Sequence, residues 1–315
     1  MASLFLFLLC LSLSVNVKPL LASPMASSAG NTHHLERRSS ENDACQASLN
    51  SRPPLPETGY YNPLNASTGS MLSIVPEGET FGEPINAIIS GKSSKSVLCP
   101  EGFLRWATSI NFGVSCLGNA NGTPQFADLG DGYGNRTQGT YDGQNGVLRW
   151  NYGDPILGTC KESFLGDNHF RWWIQNGTEG NSNAIFLAVS MEESAALGHK
   201  IQLDGYNRGR DYLVGNVTSY TNGSEWSGFR YNTTVEWVPA GVLLNATSDR
   251  INHPDVALPG QPVQDGRVAV LTVTQLASGQ RSSSDASRPW SVHPHTLTLS
   301  SVVVSSLAFA FCLLA

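Results

Sequence analysis

Apolar residues run together at the two ends of the chain and are patterned between them. The first run, Leu4 to Val15 (LFLFLLCLSLSV), has the length of a signal-peptide core and falls short of the ~20 residues that span a bilayer. The last, Leu297 to Ala315 (LTLSSVVVSSLAFAFCLLA), is of spanning length but weakly apolar. Between them, Phe103, Leu104, Trp106, Ala107 and Ile110 recur at helical spacing behind Pro100, which predicts an amphipathic helix over 101–110. A glycine-rich stretch from Gly118 to Gly146 interrupts regular structure. Five β-branched and aromatic runs then follow, at 147–153, 168–175, 183–191, 233–238 and 268–276, bounded by Gly, Asn and Pro. The segment NGTEGNS joins the second of these to the third as a long hairpin connection. The expected fold is α+β: a single domain with a mostly antiparallel sheet and a few short helices.

Alternation sorts the residues of that hairpin by face. His169, Arg171, Trp173 and Gln175 share one side of the strand, and Phe170, Trp172 and Ile174 the other. In the partner strand, Ile185, Leu187, Val189 and Met191 oppose Ala184, Phe186, Ala188 and Ser190. The polar side is a candidate binding face for cell-wall or surface glycans, with Trp173 stacking on a sugar ring while its neighbours bond the hydroxyls. The alternative is a tryptophan packed into the sheet, with long side chains lying over small ones.

The terminal runs carry the expectations about address. Residues 1–22 read as a signal peptide, although no basic residue precedes the apolar core. Residues 23–44 lack apolar periodicity and hold the dibasic pair Arg37-Arg38, a processing site in a flexible pro-like segment or simply two solvated charges. The ectodomain is then 45–280, followed by a spacer, 281–296, and the hydrophobic tail, 297–315. Small residues at Ser283, Ser284, Asp285 and Ala286, a polar spacer and an apolar tail without basic flanks are the parts of a glycosylphosphatidylinositol signal. Ser284 is the favoured attachment residue and Asp285 the second choice. A tail-anchored helix is the competing reading.

Eight N-x-S/T sequons, at Asn65, Asn121, Asn135, Asn176, Asn216, Asn222, Asn232 and Asn245, agree with export. Cys10 and Cys312 lie in the segments to be removed, so Cys45, Cys99, Cys116 and Cys160 remain. An even four in an oxidising compartment makes two disulfides in any of three connectivities, and no C-x-x-C spacing argues for zinc or redox chemistry. A formal charge of −6, with Lys and Arg scattered, argues against a nucleic-acid partner, which needs a basic patch. The expected location is therefore the extracellular face of the plasma membrane or the cell wall, with membrane contact through the lipid anchor. Oligomeric state is left open.

Five ordered strings carry a resemblance: PINAIISG (84–91), ADLGDGYG (127–134), HFRW (169–172), AIFLAVSME (184–192) and HKIQLDGYNRGRDYLV (199–214). Over 80–276 the chain resembles an uncharacterised family of secreted fungal proteins. The last two strings also resemble, more distantly, the C-terminal domain family of bacterial LssY proteins, with His199, Asp204, Arg210 and Asp211 carrying the shared pattern. That bacterial pattern places an acidic residue before the arginine, where this chain has Gly209. Neither resemblance implies a reaction.

Candidate chemistry centres on His199. With Asp204, His169, Asp128 and Asp131 it makes a mixed nitrogen and oxygen set for a divalent metal, though without a recognised ligand spacing. With Ser190 as nucleophile and Asp204 or Asp211 as orienting group it makes a hydrolase triad, though without the G-x-S-x-G elbow. The run Asp128 to Asn135 has the glycines of a calcium loop but not its ligand spacing. Arg210 and Asp211 suggest an ion pair at the start of a short helix through Val217, with Asp211 at or near its N-cap. No cofactor is expected, and a divalent metal is the one alternative. An interaction role at the surface leads, with an extracellular hydrolase as the other candidate.

Overall fold

Pro100 opens the predicted amphipathic helix because its missing N–H costs nothing at that position and its φ is already helical. The computed structural model describes residue 43 and residues 45–66, 69–74, 81–114, 116, 124–130, 143–177 and 180–279. Helix α1 spans Pro100–Ser109 and buries Phe103, Trp106 and Ala107, the face that the spacing predicts. It ends where Asn111 turns left-handed, at a φ of 65°. Two more helices follow: α2, Gly158–Leu165, and α3, Gly205–Ser219. Residues 45–51 are also helical.

The strands are β1 (Ser73–Ile74), β2 (Ala87–Ile89), β3 (Phe112–Val114), β4 (Phe126–Ala127), β5 (Gly146–Trp150), β6 (Asp167–Asn176), β7 (Asn181–Glu192), β8 (Ser224–Trp226), β9 (Phe229–Val238) and β10 (Val268–Ala277). β1 and β4 form a small antiparallel pair. The other eight form one sheet in the order β3-β5-β6-β7-β2-β10-β9-β8. Every neighbour is antiparallel except β2 with β10, which run parallel. The fold is thus α+β in one domain with a mostly antiparallel sheet, and the β6–β7 hairpin sits at its centre.

The sheet curls around α1. Trp106 Nε1 donates to Thr233 Oγ1 of β9 at 3.2 Å, and Ser109 Oγ meets Ser224 Oγ of β8 at 2.8 Å, while the chain leaves α1 directly into β3 at the opposite edge. Inside the curl, Phe103 and Trp106 pack with Phe112, Phe170, Trp172, Leu187, Val189 and Leu271, and α3 adds Leu213 and Val217. The outer face is covered as well. There Trp173, Phe186, Ala188, Ile88 and Val270 pack under Tyr60, Met71, Leu129, Leu243 and Leu244. Central strands buried on both faces read as continuous apolar runs, which is why β7 is apolar through most of its length.

Two disulfides tie this layout together. Cys45–Cys99 pins the helical segment 45–51 to the start of α1, and Cys116–Cys160 pins the chain beyond β3 to α2. Among the described residues no helix is long and apolar enough to cross a membrane. The expected anchor residues Ser284 and Asp285, the signal segment, Asp131, and the sequons at Asn121 and Asn135 lie outside the described residues.

Candidate functional site

Register brings the polar chemistry to one end of the central hairpin. Arg149 of β5 lies opposite His169 of β6, which lies opposite Ser190 of β7, so the three share a row on one face of the sheet. Glu192 is two residues further along β7 and therefore on the same face. Glu162 comes from α2, which packs back on β5 and turns its carboxylate inward while Cys160, two residues earlier, is held by its disulfide. His199 arrives last. After β7 the chain makes a 3-10 turn at Ala195–Leu197, Gly198 turns left-handed, and Glu193 N–H bonds Lys200 O at 2.7 Å. That fold-back returns His199 to Glu192.

The contacts are close. One guanidinium nitrogen, Arg149 Nη1, donates to Glu162 Oε2 at 2.9 Å, to Glu162 Oε1 at 3.2 Å and to Glu192 Oε2 at 2.7 Å. His169 Nε2 is 3.4 Å from Glu192 Oε1, and His199 Nδ1 is 3.4 Å from Glu192 Oε2. Side-chain exposure is 0% for Glu162 and 1% for His169, against 34% for His199. The cluster is a buried network with one imidazole at its rim.

Burial sets the protonation of its deep members. It pushes the Glu162 carboxyl up to about 8, further than Arg149 pulls it down. Burial also drives His169 down to about 4, against the opposing pull of Glu192. For Glu192 burial works upward, but His169, Arg149 and His199 outweigh it and hold the carboxyl below its ordinary value.

Several sequence expectations are corrected here. The face of His169, Arg171, Trp173 and Gln175 is not an open binding platform. Trp173 is 3% exposed beneath the outer cluster. Gln175 is fully used: its Nε2 donates to Tyr61 O and Leu129 O, and its Oε1 accepts from Tyr61 N and Ser182 Oγ. Large apolar residues from 60–71, 129 and 243–244 cover this side, a long-range packing that alternation within one hairpin does not reveal.

The Ser190, His199 and Asp204 or Asp211 triad is not assembled either. Ser190 Oγ is buried with no hydrogen-bond partner, and its register neighbour is His169. Asp204 Oδ1 accepts from Asn207 Nδ2 at 2.6 Å, and Asp211 accepts from Arg210 Nε at 2.9 Å. Of the expected metal set, His169 and His199 do meet at Glu192. Asp204 is committed to α3, and Asp128 bonds Gly130 N–H near the Gln175 end of β6. Asp211 is not an N-cap, because α3 begins at Gly205 and Asp204 occupies the cap position with a left-handed φ of 57°. Arg210 also makes a bidentate pair with Asp265, at 2.6 and 2.9 Å, which the sequence pattern did not suggest.

Arg149, Glu162 and Glu192 were missed as site residues. Glu192 ends the string AIFLAVSME on the same face as Ser190, and that alternation was the available signal. No family model, curated protein or solved structure matches the chain.

Proposed function

We propose that the mature chain is a secreted, N-glycosylated ectodomain, held at the cell surface by a glycosylphosphatidylinositol anchor, that works by contact with wall or surface components rather than by catalysis. The observation that carries this is the placement of the sequons. Five of the six described sequon asparagines, Asn65, Asn176, Asn222, Asn232 and Asn245, are exposed on a disulfide-linked domain. The non-catalytic part rests on the state of the acid and base groups. Glu162, His169 and Ser190 are buried, and the carboxylates that a His199-centred triad needs are bonded elsewhere. Two concavities, one lined by Tyr61, Asn62 and Gly130 and the other by Asn145, Trp173 and Asn176, lie away from this cluster.

Expression of the full precursor in a eukaryotic secretory host tests the reading. A peptide N-glycosidase should collapse a mass ladder, and a phosphatidylinositol-specific phospholipase C should release the protein from membranes. Retention after phospholipase treatment would establish a spanning tail instead. Co-sedimentation with insoluble glucan, chitin and mannan tests the contact role, and failure on intact walls as well as on all three polymers rejects it.

A further inference from the structure

Helix α2 turns polar side chains inward and large apolar ones outward. Thr159 and Glu162 are buried, while Leu157, Phe164 and Leu165, at i, i+7 and i+8, share the opposite face. Phe164 is 70% exposed, and Leu157, Leu165 and the preceding Ile156 are each more than half exposed. The 3-10 turn Ala195–Leu197 packs beside α2 and adds Leu197, also more than half exposed. No residue from Ser194 to Gly198 carries a charge. At roughly 100 Å² each, the five large side chains present about 500 Å² of apolar surface before their rim is counted. That is the size at which a patch marks an interaction site, and most of the ~800 Å² that each partner gives to a standard interface.

Strand direction places this patch at one pole of the sheet and the chain ends at the other. β5 ends, β6 begins and β7 ends at the pole of the patch, because the three are successively antiparallel. β2 is antiparallel to β7 and β10 parallel to β2, so β10 starts at this pole and carries the chain to Gly279 at the opposite one. The segment after Cys45 is held at that opposite pole as well, where Ser48 Oγ donates to Asn181 Oδ1 and Arg52 Nη1 to Ser182 O, at the start of β7. β7 alone runs 12 residues between the poles, about 40 Å at ~3.3 Å per residue. The five residues from Gly279 to Ser284 reach at most ~18 Å, so an anchor at Ser284 lies at the pole away from the patch.

The charges that flank the patch in sequence, Asp154, Lys161, Asp167, Glu193 and Lys200, have no basic excess. A lipid surface as occupant would call for one. A patch of this area with mixed charge at its rim suits its own copy, since a two-fold contact sets the same surface against itself. We propose that this pole binds a second copy of the chain, patch to patch. A two-fold contact there points the two chain ends away from each other, so the pair bridges two opposing surfaces. The bridging rests on the anchoring proposed above; the self-contact does not.

The test displays the full chain on two differently coloured populations of host cells and mixes them, while sedimentation equilibrium reads the purified glycoprotein without cells. Mixed clusters are expected, with dimers forming in the ~micromolar range of small interfaces. Phe164→Ser combined with Leu197→Ser, both at exposed positions, should keep Tm and surface level and abolish clusters and dimers together. Leu276→Ser, an exposed apolar residue near the end of β10, should behave as the unaltered chain does. A chain that stays monomeric at ~100 μM overturns the proposal, and so do clusters or dimers that the double variant leaves intact. Clusters with cells that lack the chain would assign the patch to a different partner and overturn it too. Dimers in solution without mixed clusters would uphold the contact and overturn the bridging. Retention after phospholipase treatment would sink the lipid anchor and leave both measurements readable.

Discussion

Glu192 accepts from Arg149 and faces two imidazoles, and burial of this cluster decides how Glu162 and His169 titrate. Glu162 has a folded pKa raised to about 8 by burial, so its stabilising contribution is complete below its ordinary value and is lost as pH rises through 8. His169 is shifted the other way, to about 4, so its contribution is present above its ordinary value and is lost as pH falls toward 4. Between the ordinary values of the two groups the slopes oppose each other. Above that window only Glu162 acts. Thermal melts should therefore show Tm falling from about pH 6.5 to 8, and Glu162→Gln should remove that fall. Trp173 belongs to the same scale. Because it is buried against the outer cluster, Trp173→Ala should lower stability by about 3–5 kcal/mol in denaturant titrations, so any loss of glycan binding in that variant would report unfolding. His169, His199 and Ser190 were legible as chemistry-bearing residues from their polar character inside apolar strings. Glu162 was not, since the short helix that carries it, GTCKESFL, exposes Phe164 and Leu165 and has no clear apolar stripe.

Helix α3 shows how one element ties the interior to the surface. Gly209 presses on β7 so closely that an added Cβ would lie 2.5 Å from Ser190 Cα, and Gly209 O accepts from Asn168 Nδ2 at 2.8 Å. Packing thus leaves no room for a side chain at this position. Gly209→Ala should cost about 1–3 kcal/mol or more, measured as a shift in urea midpoint with unchanged slope. About two turns further on, Asn216 Nδ2 donates to Ile110 O at 2.7 Å and satisfies a carbonyl at the C-terminal end of α1. That nitrogen is the atom a glycan would occupy. If the chain is glycosylated as proposed, Asn216 is expected to be bare, and glycopeptide mapping should find it unmodified while Asn222 and Asn232 carry sugar. α1 and the long strands β6, β7, β9 and β10 follow their periodicity because each has enough residues to repeat it. Strands β2, β3 and β8 have three residues each, too few for a pattern to register.

Across the whole molecule, two disulfides hold segments outside the sheet to helices, 45–51 to the start of α1 and the chain beyond β3 to α2. Cys45–Cys99 and Cys116–Cys160 close separations of 54 and 44 residues, and restricting loops of that length in the unfolded chain is worth about 4 kcal/mol each. Mild reductant should lower Tm in two steps or one broad one, and the paired variant Cys45→Ser with Cys99→Ser should unfold at lower denaturant by a comparable amount.

The sequence by itself determined the helix at 101–110, the central hairpin, the α+β class and an even set of four cysteines between the terminal apolar runs. These are properties of local periodicity, turn residues and counting, which need no knowledge of what lies across the fold. Tertiary structure alone decided which cysteines pair, that both faces of the central hairpin are buried, and that Arg149, Glu162, His169, Glu192 and His199 meet. Those residues come from three neighbouring strands, β5, β6 and β7, the helix between β5 and β6 and the turn after β7. Their meeting depends on strand register and on chain fold-back, and both are set by side chains packing from segments a hundred residues apart.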